Sequence, residues 1–445
     1  MATPVNRNAG NSRAVRGRKR APLVSVVTSI CLLIACVIFA GIYFWGEKPE
    51  TDNNSPEPAI DTPPAASTFM TETPPSAEPP VSAPPVKPPV VRGIYIGAWN
   101  IGSEDLNRFA ELCGDGVYNS LVIDVKDDMG YITFINDNAN LTEASRYAVL
   151  DLERSIPRLK ERGVYTIARL VCFKDPLRCS LEPRLAVHNN YGGTWKDAED
   201  IAWLDPYNTA AWDYIISVAK EAARIGFDEV QLDYVRFPTD GNLDEINYGS
   251  AGAGKTKAGA IGEFLAYARS ALAGTNVKLA ADVFGIIAVS KGDFEGIGQD
   301  LDIVLRNVDY VCPMVYPSHF ANKRQNGVGQ IINDVLFETP DLDPYGVVHN
   351  LMLMVKDRLP ADEAHAIIRP YLQAFTAGYL GSGYYMSYKE QEVAGQIQAV
   401  CDAGFSEWLL WNDTGEYGFY EKISSFIKSE NSEGSSSGIP AVNNA

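Results

Sequence analysis

Eight short apolar runs, separated by segments of helical period, constrain this chain more than any other feature. The runs are RGIYIGAW, NSLVIDVK, VYTIARLVCF, DEVQLDYV, VKLAADVFG, DYVCPMVY, AIIRPYLQAF and EWLLWN. Between the third and the fourth, AAWDYIISVAKEAARIG sets Trp212, Ile215, Ile216, Ala219 and Ala223 along one stripe, as in a helix packed on a sheet. LERSIPRLKERG, IGEFLAYARSALAG and EVAGQIQAVCDAG repeat the pattern, and Pro157 predicts a kink or late start in the first of them. Eight strand-then-helix units of this total length predict an α/β fold, a closed (β/α)8 TIM barrel rather than an open doubly wound sheet. The four helices run into the next strand through Gly163, Gly226, Gly274 and Gly404, each expected in the left-handed conformation that ends a helix. The connections that follow strands are long instead, notably about 174 to 208, 238 to 258 and 318 to 365. In such a barrel the long-loop side is the C-terminal face, where active sites sit.

The barrel segment, 92–428, is the part of the 445 residues that can bury a core. Residues 1–20 hold Arg7, Arg13, Arg16, Arg18, Lys19 and Arg20, and residues 21–46 form an apolar run without a single charge. That order predicts a single-pass transmembrane signal anchor with a basic cytoplasmic N-terminus and an extracellular C-terminal domain. A cleaved signal peptide is the competing reading, but its apolar core ends sooner. LIAC, ending at Cys36, resembles a lipoprotein cleavage box, yet the residues after it stay apolar. Residues 47–91, with repeated Pro pairs among Ser, Thr, Ala and Glu, are expected to form a disordered, extended stalk, and 429–445 a disordered tail.

A net charge of −18 argues against a nucleic-acid partner, which needs a basic face. No GxGxxG follows the first strand and no Walker-type loop is present; AGAGKTKAG, 251 to 259, follows a loop and reads as a loop itself. No cofactor is expected. The four histidines, His188, His319, His349 and His365, are scattered, so no metal site is expected. Cys172 and Cys179 flank FKDPLR and are spaced for a disulfide, while small buried thiols are an equal alternative for all five cysteines beyond residue 46.

Alternation along the strands then assigns side chains to the lumen. In DEVQLDYV, Asp233 shares a face with Gln231, opposite Val230, Leu232 and Tyr234. By the same count LVIDVKDD turns Asp124 and Lys126 inward, and LAADVFG does so for Asp282. Arg169, Tyr316, His319, Gln373, Trp411 and Asn412 occupy the equivalent ends of other strands, and Trp99 ends the first. The bland reading is that Asp124 and Asp233 merely pair with Lys126 and Arg236, as buried charges generally do. Its weight falls because strand after strand repeats the pattern.

Glycoside hydrolysis needs two carboxyl groups, one protonated and one ionised. Asp233 and Asp282, on adjacent strands, are the expected catalytic pair, with Asp124 as reserve and Glu416 behind it. Lys126, Arg169, Arg236, Tyr316, His319, Gln373, Trp411, Asn412 and Trp99 are the expected substrate contacts. Trp195, Trp203, Tyr384 and Tyr385 add flat apolar surface for sugar rings. Schiff-base chemistry at Lys126 is a further alternative, opposed by Asp124, Asp127 and Asp128 around it, which keep the amine charged.

LVIDVKDDMGYITF, IARLVCFKDP, WLDPYN, GFDEVQLDYVRFP, ADVFG, CPMVYPSHF, IRPYLQAF and EWLLWN, in that order, resemble the bacterial domain-of-unknown-function family 4015, a group of glycosyl-hydrolase-like barrels. The resemblance spans about residues 92 to 420 and implies a (β/α)8 barrel that is often anchored at a cell surface. It supplies no substrate and no catalytic assignment; Asp124, Asp233 and Asp282 lie in matching blocks, while Cys172 and Cys312 stand where other small or apolar residues are expected. The expectation is therefore a membrane-anchored extracellular glycoside hydrolase acting on a cell-envelope or environmental polysaccharide. The alternative is a silent barrel that binds wall glycan or a protein partner.

Overall fold

The structure is a computed structural model that describes residues 89–98, 103–113, 117–293, 296–360 and 365–413. The expected anchor (21–46), nearly all of the stalk, and the tail lie outside the described residues, as do Trp99 and Glu416. Among the described residues no helix is long and apolar enough to cross a membrane.

Eight parallel strands close into a barrel. They are β1 (Arg92–Ile96), β2 (Ser120–Lys126), β3 (Tyr165–Val171), β4 (Glu229–Asp233), β5 (Lys278–Phe284), β6 (Tyr310–Met314), β7 in two pieces (Ile367–Ile368 and Tyr371–Gln373) and β8 (Trp408–Trp411). Closure is made where Arg92, Gly93 and Ile94 pair with Trp408, Leu409 and Leu410. The break in β7 falls at Arg369 and Pro370, where proline has no N–H to give the ladder. All eight apolar runs thus become barrel strands.

Among the described residues, seven of the longer helices pack outside: α1 (Ser103–Cys113), α2 (Leu152–Glu161), α3 (Thr209–Ile225), α4 (Lys257–Leu272), α5 (Leu301–Asn307), α6 (Pro344–Arg358) and α7 (Glu390–Asp402). Asn208 caps α3 by accepting from Ala210 N, and Gly226 ends it at φ 104°. Gly163 and Gly404 take the same left-handed conformation, but Gly274 does not: α4 already ends at Ala273 in ordinary helical geometry. Helix α2 runs through Pro157 from an Asp151 cap.

Two apolar cores follow from the pleat. The larger lies between strands and helices, with Ile123, Val125, Val230, Leu232, Ala281 and Val283 facing α3 and α4 residues such as Ile215 and Phe264. The smaller fills the lumen with Tyr95, Val122, Ile167, Ala280, Tyr310, Cys312, Tyr316, Tyr371 and Leu409. At the floor of the lumen, Arg369 donates to Glu229 at 2.8 Å and 2.9 Å and to Glu407 at 2.8 Å, with Tyr165 Oη on Glu229 at 3.1 Å. These charges are buried, and removing one partner of such a group costs roughly 3–5 kcal/mol.

The long loops after β3, β4 and β6 stand over the C-terminal face. Those after β3 and β4 share a two-stranded sheet, His188–Asn189 with Ile246–Asn247, and the loop after β6 carries a hairpin, Gln330–Ile332 with Val335–Phe337. Cys172 and Cys179, flanking the start of the loop after β3, are both free and buried, so the disulfide does not form and the small-hydrophobe alternative holds.

Candidate active site

Strand ends bring Asp124 (β2), Arg169 (β3), Asp233 (β4) and Asp282 (β5) together at the mouth, as alternation predicts. Asp124 and Arg169 are partners in register, and Asp233 and Asp282 lie one step beyond the pair Leu232 and Ala281. Arg169 holds two of the carboxylates at once. Its Nη1 donates to Asp124 Oδ1 at 2.7 Å, while Nε and Nη2 donate to Asp233 Oδ2 at 2.9 Å and 2.5 Å. Both pairs are almost wholly buried, so they are strong provided every lone pair is answered. Asp124 Oδ2 accepts from Tyr95 Oη at 2.5 Å, and Asp233 Oδ1 from Tyr234 N at 2.6 Å. Burial nonetheless pushes Asp124 up from the usual carboxylate range, against the pull of Arg169 and Tyr95.

Asp282 has no such help. It is 2% exposed, and among the described residues its Oδ1 is buried without a hydrogen-bond partner. Burial first, and then the negative charge of Asp233, push its pKa well above the ordinary value. Two neighbouring carboxyls therefore differ: Asp233 accepts three hydrogen bonds, two of them from a guanidinium, while Asp282 has an unanswered oxygen among the described residues and is pushed toward its neutral form by burial and by Asp233.

The backbone around this pair is fixed from behind. Gln299 Nε2 donates to Asp282 O at 3.2 Å and to Val235 O at 3.4 Å, and its Oε1 accepts from Phe284 N at 3.0 Å, which ties the end of β4 to that of β5. Gly285 follows at a point where a Cβ would stand 2.5 Å from Met314 O, so only glycine fits. Tyr234, at φ 48°, turns the chain sharply out of β4. Below the acids, Tyr371 Oη donates to Gln231 Oε1 at 2.6 Å, and Gln231 Nε2 reaches Cys312 Sγ at 3.2 Å.

Aromatic rings wall the mouth. Trp411 stacks on Tyr95 with ring centroids 3.8 Å apart, and the Arg169 guanidinium lies 4.9 Å from the Trp411 ring centroid and 5.5 Å from that of Tyr95. Tyr316 is buried, and its pKa is raised by burial and by Asp282 and Asp233, which places it beside the acids. It meets His319 edge-on at 4.9 Å; burial lowers the His319 pKa to about 4, so its ring is neutral at neutral pH. Asn412 is buried at the end of β8.

Four expectations need correction. Lys126 does not enter the lumen. A β-bulge between Asp124 and Lys126 turns it toward the helices, where Nζ pairs with Asp175 at 2.8 Å and donates to Val171 O at 2.7 Å. Fully buried in that pair, its amine is turned away from the mouth, which is not the placement expected of a substrate contact or of a Schiff-base lysine. Arg236 does not pair with Asp233, because the turn at Tyr234 carries it away and Arg169 takes the place. Gln373 is consumed by the scaffold: it donates to Asp341 Oδ1 at 2.9 Å and accepts from Ser318 N at 3.1 Å. Trp195 and Trp203 are buried, with their indole N–H groups on Asn242 O and Asp197 Oδ2, so they are loop core rather than platforms. Tyr384 and Tyr385, half-buried in the loop after β7, remain available.

Tyr95 and Gln299 were missed. The alternation in RGIYIGAW places Tyr95 inward and was signal enough, whereas nothing local marks Gln299.

Residues 93–417 match the model of the domain-of-unknown-function family 4015, described as "Putative glycosyl hydrolase domain". No curated protein matches the chain. Among solved structures, the chain is similar to the glycoside hydrolase domain of PgaB (BpsB) from Bordetella bronchiseptica, at 15% identity and TM-score 0.53, over 76% of this chain and 98% of that one. It is also similar to a hypothetical protein from Ruminiclostridium thermocellum, at 36% identity and TM-score 0.38, over 42% of this chain and 96% of that one. The first likeness is one of fold.

Proposed function

The chain belongs to the domain-of-unknown-function family 4015 and carries its glycosyl hydrolase domain, and on that premise we propose that it cleaves polysaccharide at the mouth formed by β2 to β5. The observation that carries the reading is Asp282, a buried carboxyl whose Oδ1 has no partner among the described residues, near an ion-paired Asp233. Asp282, neutral, donates its proton to the leaving glycosidic oxygen as general acid. Asp233, held as a carboxylate by Arg169 and Tyr234 N, attacks the anomeric carbon or activates a water to do so. Asp124 and Tyr95 position Arg169, and Arg169 thereby positions Asp233. Tyr316, His319, Trp411, Asn412 and Arg236 bind the sugar, with Trp99 at the end of the first apolar run as a further contact.

The charge-free run 21–46 behind a basic flank supports a single-pass membrane anchor, and 47–91 a stalk that carries the barrel on the outer side. Such a placement suits an envelope or environmental polysaccharide too large to enter a cell.

One observation favours a barrel that binds glycan without cleaving it: Arg169 already engages both Asp124 and Asp233. Release of reducing ends from a panel of polysaccharides by the full chain separates the two. Turnover that disappears in Asp233→Asn supports the hydrolase; saturable binding with no turnover on any glycan supports the silent barrel.

A further inference from the structure

Among the described residues, Arg236 is a buried cation without a counter-ion. It is 5% exposed, and among the described residues no carboxylate lies within ion-pair distance of it. Its Nη1 donates to Phe237 O at 2.9 Å and approaches Thr239 Oγ1 at 3.5 Å, which leaves Nε and Nη2 with no acceptor among the described residues. Three aromatic faces hold the guanidinium, Trp203 at 4.8 Å, Tyr234 at 5.1 Å and Phe284 at 4.9 Å. Phe284 ends β5, Tyr234 follows Asp233, and the charge of Asp233 acts on Arg236, so the guanidinium lies on the β4 and β5 side of the mouth, out of ion-pair reach of Asp233. A guanidinium caged in this way has lost little freedom still to lose, and a ligand acceptor that meets its free N–H groups meets a fixed fork.

The surroundings decide which acceptor is welcome. Asp128, Asp197, Glu199 and Asp240 ring this side of the mouth, and the charges of Asp240, Asp233 and Asp197 all act on Arg236. Lys174, the other cation here, is occupied by Asp128 at 3.6 Å and Glu199 at 3.7 Å. Arg169 is neutralised by Asp124 and Asp233. An anionic sugar would therefore bring its charge into a field with an excess of carboxylates, and the Arg236 guanidinium would not offset them.

We infer that Arg236 receives the neutral oxygen acceptors of a pyranose ring, and that the mouth selects neutral glycans against uronate, sulfated or phosphorylated ones. This rests on the hydrolase reading above and names its substrate class.

The test uses the full chain in detergent and pairs of oligosaccharides that differ only at C6, a neutral oligomer and its C6-oxidised uronate counterpart, in α- and β-linked series of glucose and N-acetylglucosamine. Turnover is measured for wild type, and binding for Asp282→Asn by calorimetry. The neutral member of a pair is expected to have at least a tenfold higher kcat/KM. Arg236→Gln is expected to raise KM for the neutral oligomer about ten- to hundredfold, the range for hydrogen bonds to a charged group, with Arg236→Lys in between. A uronate cleaved better than its neutral partner overturns the substrate class and leaves the hydrolase standing. An unchanged KM in a folded Arg236→Gln overturns the role of Arg236; if that variant does not fold, the wild-type preference between pair members decides alone. If no oligomer of either kind is bound or cleaved, the hydrolase reading falls and takes this inference with it.

Discussion

Asp282 stands where Val or Ile would cost less, and its protonation is written into the stability of the protein. Its folded pKa lies above the value of about 3.9 in an unfolded chain, so the folded state holds the proton more tightly. The stability this contributes is complete below about pH 4 and is lost as pH rises toward the folded value. Asp282→Asn has no such titration. Urea unfolding at a series of pH values should show wild type losing stability relative to the variant as pH rises above about 4, with the variant ahead at the alkaline end by on the order of 1–3 kcal/mol. Parallel curves would mean that the carboxyl is not held neutral. At this scale the sequence was informative wherever strand alternation ran undisturbed: Asp124, Arg169, Asp233 and Asp282 all fall where the pleat puts them. It misled at Lys126 and Arg236, each just beyond a local departure from the pleat, a bulge in one case and a positive φ at Tyr234 in the other. Neither departure is marked by a glycine or proline, so neither is readable in advance.

Between the loops after β6 and β7, Asp341 ties down Gln373, the residue expected at the sugar. It accepts from Gln373 Nε2 at 2.9 Å and from Met386 N at 3.3 Å, and its carbonyl accepts from Tyr388 Oη at 3.3 Å. Burial outweighs these donors and raises its pKa to about 7. The sign is the same as for Asp282: stability is present below about pH 4 and is lost as pH rises through about 7. Hydrogen exchange across residues 376 to 388, corrected for the intrinsic effect of pH, should quicken between pH 5 and pH 8 in wild type and change less in Asp341→Asn. Equal behaviour of the two would show that Asp341 does not hold the loops. Elements were legible because apolar runs and helical stripes are strong local signals, and even β7 was found despite its break at Pro370. Loop architecture was not, because Asp341 and Gln373 are 32 residues apart and meet only in the fold.

For the whole molecule, the (β/α)8 class followed from eight repeats and their loop asymmetry, before any residue had a role. The charge-free run 21–46 leads to a separate prediction: the full chain should sediment with membranes and resist extraction by salt or carbonate, while a chain lacking residues 1–46 should be released. Release of the full chain by salt alone would contradict an anchor. The central claim is the division of labour between Asp282 and Asp233, and leaving-group dependence tests it most directly. On aryl glycosides of a sugar the enzyme cleaves, Asp282→Asn should lose about 10²–10⁴-fold in kcat/KM with a poor leaving group and little with dinitrophenolate, which needs no acid. Asp233→Asn should lose activity on both. Equal losses for Asp282→Asn across the series, or full activity of Asp233→Asn, would contradict the account.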